Sequence, residues 1–449
     1  MGIELAPKRG IIPSMSVIDR LHRLTGEKTQ KKTSPLEGSR AEEIRTLRAR
    51  IEAIVNRRTE ERGPVVRAEG QGGLVPLEAL LPGTEETNAG GRCFCVEHVA
   101  WGSSRHGNRC IRDLTSCDMD RLALLANDDS LRSRDYREAL FLDTETTGLA
   151  GGAGTVPFLV GLGWFEGETF VTRQLFARDY AEERASLMCL AELVRGYGFL
   201  VSFNGKAFDT NLLASRFIMN RLSNPLQGLP HLDLLHPSRR LFRHRLTDRR
   251  LGTLEAALLG FEREGDIPGS EIPQRYFDWL RRRDGRLMAD IFLHNRLDIL
   301  SLAALAAHLA SLVDPAAPDE AGHLPGDRLA AARLYLDRDC HKEARLLLSP
   351  LTACPLPETA QEACRELSLI NKRDGEWTAA AALWEEMVQR DSGDLFAFIE
   401  LAKWHEHHRH DDRQALAWTH RAEACPDLTP GERTELAVRR KRLERKLSG

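Results

Sequence analysis

Much is missing from this 449-residue chain, and each absence removes a class of protein. It has no excess of positive charge: 63 Lys and Arg stand against 66 Asp and Glu, for a formal charge of −3. Any grip on nucleic acid must therefore come from a local patch. It has no long apolar run. The longest, Ile299 to Val313, is interrupted by His308 and falls short of the roughly 20 residues that span a bilayer, so no membrane partner is expected. No two cysteines have the C-x-x-C spacing of a zinc site. Cys93-Phe94-Cys95 reads as an ordinary strand, and His98, His106, Cys110 and Cys117 follow at irregular intervals. Met1-Gly2-Ile3-Glu4 opens no signal-peptide apolar region, and Ala6 stands where a myristoylation signal requires Ser or Thr. The expectation is a cytoplasmic protein with reduced thiols.

What is present divides into four stretches. Residues 1–70 read as a basic, partly disordered arm with one helix, in which Ile44, Leu47, Ile51 and Ile54 keep helical spacing. Residues 71–134 contain short strand-like pieces such as Cys93 to Val99 and read as a small module of unknown fold. Over 135–313 the order is clearer. Strands are predicted at Ala139 to Glu145, Val156 to Phe165, Thr169 to Ala177, Phe199 to Phe203 and His231 to Leu235, with helices from Ala181 and Phe208 and a helical remainder. Three meandering strands followed by alternation with helices make an α/β domain with a five-stranded mixed sheet. Residues 327–449 show only helical periodicity, with seven helices recurring at roughly 33 residues, the spacing of TPR-like helix pairs. Ala379, Ala382, Ala402, Ala415 and Ala417 are candidates for the close approaches between them.

Three constellations carry chemistry. In Asp143-Thr144-Glu145-Thr146-Thr147-Gly148-Leu149 a strand places Asp143 and Glu145 on one face and Thr144 on the other. Neighbouring carboxylates repel unless a cation lies between them, and oxygen-only donors suit Mg²⁺ or Mn²⁺. In Ser202-Phe203-Asn204-Gly205-Lys206-Ala207-Phe208-Asp209 a strand runs into a helix whose first turn favours the Asp209 carboxylate. Gly205-Lys206 lacks the upstream glycine of a phosphate-binding loop, and the Gly151–Gly154 turn joins two strands, which excludes a dinucleotide loop. In His294-Asn295-Arg296-Leu297-Asp298 the spacing sets His294 and Asp298 on one helix face.

In order and spacing these motifs resemble the DEDD superfamily of 3′–5′ exonucleases, with its D-x-E-T-T-G-L and F-N-x-x-F-D elements. The third motif has Y-x-x-x-D spacing with His294 in the tyrosine's place, whereas the histidine subgroup usually has one more intervening residue. A closer likeness is to bacterial YprB-type proteins. It covers about 136 to 313, includes His231-Leu232-Asp233-Leu234, Leu251-Gly252-Thr253-Leu254-Glu255 and Gly265-Asp266-Ile267-Pro268-Gly269, and extends to a helical-repeat C-terminus. The resemblance implies an RNase H-like fold and a metal-dependent exonuclease acting on single-stranded DNA or RNA. Asp143 would bridge two Mg²⁺ or Mn²⁺ ions, Glu145 and Asp298 would complete one, Asp209 would anchor the other, and His294 would be the general base. It also implies that Thr146, Thr147, Gly148 and Leu149 cradle the terminal nucleotide, with Leu149 and Phe208 against its base.

Asn204 and Lys206 are further candidate substrate contacts. Arg239, Arg240 and Arg243, in a stretch continuing to Arg245, Arg249 and Arg250, are candidates for phosphate grip. Arg281, Arg282 and Arg283 form a second basic run. The helical repeats offer a surface for a protein partner. Internal or structure-specific cleavage by the same chemistry, and an inert fold used as an adaptor, are the alternative readings.

Overall fold

The computed structural model describes residues 73–148, 154–317 and 322–448. The expected N-terminal arm and Leu149 lie outside them. The strands are β1 (Gly83–Asn88), β2 (Gly91–Trp101), the two-residue pair β3 (Arg105–His106) and β4 (Arg109–Cys110), β5 (Ala139–Thr146), β6 (Pro157–Glu166), β7 (Thr169–Phe176), β8 (Phe199–Ser202) and β9 (His231–Asp233). The main sheet runs β1-β2-β7-β6-β5-β8-β9. Strands β5 and β6 pair antiparallel, as do β6 and β7, while β8 and β9 run parallel to β5.

The five expected strands are all present, but the sheet has seven. The stretch 71–134, expected as a separate module, supplies the other two. Strand β2 lies antiparallel along β7 from Phe94 opposite Phe176 to Trp101 opposite Thr169, and β1 pairs with its first half. The reason is visible in Cys93, Phe94, Cys95 and Val96, which are buried on both faces. Such a strand needs a sheet neighbour and a cover on each side.

Helices sandwich the sheet. Helix α1 (Met119–Ala126) packs on the face of Phe141, and α2 (Glu183–Val194) and α3 (Asp209–Met219) lie on the other. They bury Leu187, Leu190, Leu213 and Phe217 against Leu140, Leu142, Val160 and Leu162. After α4 (Leu235–Phe242), the single turn α5 (Leu251–Leu254) with its π turn to Leu259, and α6 (Ile272–Arg282), the 27-residue α7 (Arg286–Leu312) covers the opposite face. There Ile299, Leu302 and Leu305 share a core with Phe141 and Phe170. Strand β6 lets α7 come close because it carries glycine beneath it. A Cβ on Gly163 would lie 2.5 Å from Ile299 Cγ2 and 2.7 Å from Phe170 Cζ.

The C-terminal region is helical throughout its described residues: α8 (Pro325–Leu336), α9 (His341–Leu351), α10 (Pro357–Arg373), α11 (Trp377–Arg390), α12 (Leu395–His407), α13 (Asp412–Glu423) and α14 (Pro430–Ser448). Each packs on the next. Proline opens α8, α10 and α14, where its missing N–H is not needed. Ala402 and Ala415 are buried between helices as expected. Ala379, Ala382 and Ala417 are exposed, and Ala380 and Ala381 take the close-packed places in α11. The alanine-rich run Ala379 to Ala382 hides which of its residues face inward.

Leu329 and Ala332 of α8 join the core that contains Leu309 and Leu312 of α7. A bidentate pair, Arg245 to Asp327 at 2.9 Å for both bonds, and the Arg240–Asp337 pair lie on the same seam. No helix among the described residues is long and apolar enough to cross a membrane.

Replacing Gly163 with alanine should overpack the sheet–α7 layer and destabilise the fold by ~1–3 kcal/mol. Denaturant unfolding of the variant, with an unchanged m-value, is the check.

Candidate active site

The site lies where the C-terminal end of β5 meets α3 and α7. Strand alternation turns Asp143 and Glu145 toward α7. The ladder is irregular between Glu145 and Thr146, a break of the kind that ends a strand beside a site. Asp209 opens α3. Its approach is set by the Asn204–Lys206 loop, whose backbone N–H groups donate to both oxygens of Asp233, at 2.7 Å from Asn204 and 3.0 Å from Lys206. Asn204 takes a left-handed φ of 65° there. Helix α7 delivers His294 and Asp298 one turn apart.

Glu145 and Asp209 are buried, and Asp143 and Asp298 keep a partly open face. Burial, then repulsion from Asp298 and Asp209, holds the Asp143 carboxyl well above the usual carboxylate range. Burial and the Asp143 and Asp298 charges do the same to Glu145. Asp209 is pushed up to about 6 by burial, against the opposing pull of the Thr144 hydroxyl. Burial also raises Asp298, partly offset by Arg263 and His294. Protein donors thus leave the cluster under-neutralised.

Glu145, His294 and Asp298 each present a ligand atom within 4.8 Å of the others, the only such group of metal-binding side chains found among the described residues. The fit to divalent cations is therefore good: hard carboxylate oxygens beside one imidazole, partly buried, with repulsion that a cation would relieve.

Four partners were not foreseen from the sequence. Thr144 points away from Asp143, as expected, onto the face that α3 covers, where its hydroxyl donates to Asp209 Oδ1. Asn295, fully buried, donates to Asp143 Oδ2 at 2.9 Å and accepts from Gln174 Nε2 at 2.9 Å. Gly161, opposite Asp143 on β6, makes room for it: a Cβ there would lie 2.3 Å from Asn295 Oδ1. Arg263 bridges Asp298 and Glu255, and Asp266 contacts His294. Glu255 and Asp266 lie in the family-like motifs quoted above, which was the available signal. Arg263 had none.

The other expected contacts separate into two groups. Around the acids, the Thr146 hydroxyl donates to the Gly148 carbonyl at 2.8 Å, and Thr147 exchanges two 3.0 Å bonds with the Val156 backbone. Phe208 is half-buried beside Asp209, and Asn204 and Lys206 are exposed on the adjoining loop. The arginines lie apart, on and after α4. Arg239 and Arg243 are exposed and line a groove of about 470 Å³ with Arg333 and Glu362 of the helical region. Arg240 and Arg245 hold the seam to that region, and Arg250 pairs with Asp248. The second basic run is also partly paired, Arg281 with Asp278 and Arg283 with Asp179.

This sheet order, with acids at the edge of its central strand, defines a nuclease domain of the RNase H class, and residues 140–310 match the RNase H superfamily. The chain belongs to that superfamily and, within it, to the family of the uncharacterized protein YprB of Bacillus subtilis (strain 168). It is 33% identical to YprB over 330 residues, which covers 71% of this chain and 77% of that protein.

The repulsion within the cluster makes a stability prediction. A carboxyl whose folded pKa is raised weakens the fold at pH values above its unfolded pKa, and not below it. Without added metal, Asp143→Asn should therefore raise Tm at pH 7 by about 1 °C per kcal/mol relieved, because the unfolding entropy that divides the gain grows with chain length. The gain should shrink as pH falls toward about 4, the ordinary carboxylate range. Thermal unfolding with a chelator present, at several pH values, measures it.

Proposed function

We propose that this protein is a metal-dependent 3′–5′ exonuclease that hydrolyses phosphodiester bonds of single-stranded DNA or RNA. The observation that carries the reading is the convergence of four under-neutralised carboxylates with an imidazole whose Nε2 lies 3.9 Å from Glu145 and 3.5 Å from Asp298. The D-x-E-T-T-G-L motif supports the exonuclease assignment within the class.

Asp143, Glu145, Asp209 and Asp298 would hold two Mg²⁺ or Mn²⁺ ions. Such ions, when bound, stabilise both the attacking and the leaving oxygen of an in-line displacement at phosphorus. His294 accepts a proton from the attacking water at Nε2. Asn295 and Thr144 orient Asp143 and Asp209 so that their remaining oxygens face the centre. Thr146 and Thr147, by fixing the turn to Gly148, present its backbone to the terminal nucleotide, and Phe208 flanks the base. Asn204 and Lys206 contact the adjacent backbone. Arg239 and Arg243, with Arg240 beside them, extend the phosphate path along α4. The helical hairpins offer a surface for a protein partner.

With 5′-labelled single-stranded DNA and RNA and either ion, wild type should yield a ladder shortened from the 3′ end. Asp143→Ala and Asp209→Asn should abolish it while circular dichroism shows the fold intact. Cleavage by the Asp143→Ala variant equal to wild type would remove the site as drawn.

His294→Ala should lower kcat by about 10²–10⁴-fold, the usual contribution of a positioned base, with KM changed only a few-fold. Single-turnover kinetics separates the two, and calorimetric loss of Mn²⁺ binding instead would make His294 a metal ligand.

A further inference from the structure

His294 has a second partner that the proposed chemistry leaves unused. The loop after the π turn carries Arg263 and Asp266, and Asp266 Oδ1 lies 2.6 Å from His294 Nδ1. An ionised carboxylate only accepts hydrogen bonds, so a contact this short puts a proton on Nδ1. In the neutral ring Nε2 then carries the lone pair. It faces Glu145 and Asp298 at 3.9 and 3.5 Å, beyond good hydrogen-bond length to either.

The other groups around the ring agree with this. Arg263 Nη1 approaches Nδ1 at 3.4 Å, but a guanidinium cannot donate to a nitrogen that already holds a proton. The hydrogen bonds of Arg263 go elsewhere: Nε to Glu255 Oε2 at 2.9 Å, Nη2 to Glu255 Oε1 at 2.5 Å, Nη1 to Asp266 Oδ2 at 3.2 Å, and Nη2 again to Asp298. Glu255 is 1% exposed, so the clip has a buried anchor. Asp266 Oδ1 also accepts from the Ile267 N–H at 2.9 Å, which fixes the carboxylate. The loop thus touches both functional side chains of α7 at once, Asp298 through Arg263 and His294 through Asp266.

We propose that Asp266 is a positioning residue that holds His294 in the Nδ1–H tautomer with Nε2 open toward the reacting water. The inference rests on the reading of His294 as the general base. When water gives its proton to Nε2, the resulting hydroxide attacks phosphorus and the imidazolium keeps both ring protons. The Asp266 carboxylate balances that charge without taking a proton itself, and the bond to the departing 3′ oxygen breaks with its electron pair going to that oxygen. Orienting carboxylates of this kind fix which nitrogen acts.

Two measurements test it. First, ¹⁵N correlation spectra of the histidine rings in the intact, metal-free wild type, at a pH where the ring is neutral, should show His294 protonated at Nδ1. A ring protonated at Nε2 overturns the proposal whether or not the protein cleaves anything. Failure to cleave any substrate would instead count against the exonuclease reading and leave the spectrum to decide the tautomer. Second, Asp266→Asn should lower kcat on order of 10–100-fold, the usual effect of losing an orienting partner, with KM and Mn²⁺ affinity little changed. Combined with His294→Ala it should add no further loss, because the two act as one unit. An additive double variant, or an unchanged kcat, overturns the assignment.

Discussion

Four carboxylates drawn to one end of a sheet repel one another, and much of the surrounding structure serves to hold them there. Asp143 and Glu145 arrive together because a strand turns alternate residues to one face. Asp209 comes from the edge on the first turn of α3, and Asp298 descends from α7. None has a full complement of countercharge. Asn295 gives Asp143 one neutral donor, Thr144 gives Asp209 one hydroxyl, and among the described residues Arg263 is the one guanidinium paired with a member of the cluster, at Asp298. A site left in this state is suited to cations, which would relieve the repulsion.

That demand reaches into the core. Asn295 can reach Asp143 only because β6 presents Gly161 there, and Gln174 on β7 holds the far side of the same amide. Gly163 repeats the arrangement one step along, under Ile299. The sheet face beneath α7 is therefore shaped by small residues at two successive inward positions. The position of α7 and the packing of the core are set by the same choice.

The arginine-rich stretch after β9 is divided between paired and exposed side chains. Arg240 and Arg245 are tied to Asp337 and Asp327 of the helical region, across a seam that also shares an apolar core. Arg239 and Arg243 remain exposed in the groove between them. Bidentate geometry suits arginine to the seam, where Arg245 meets both oxygens of Asp327. Composition alone does not separate the two, since each arginine's role depends on whether an acid from another segment meets it.

The sequence by itself determined strands β5 to β9, the seven C-terminal helices and the acids at the end of β5. Each of these is written in contiguous residues, the strands as short apolar runs bounded by turn signals and the helices as a period of 3.6. Only the tertiary structure decided the rest. Strands β1 and β2 join the sheet through pairing with β7, some eighty residues away by the register of Phe94 with Phe176. Asn295 meets Asp143 across 152 positions, and Asp266 meets His294 across 28. Thr144, pointed away from its neighbours as alternation requires, finds Asp209 because α3 packs on that face 65 residues later. Local periodicity is set by backbone geometry and can be read from a short window. Partners that neutralise charge are set by burial, which exists only once distant segments have packed together.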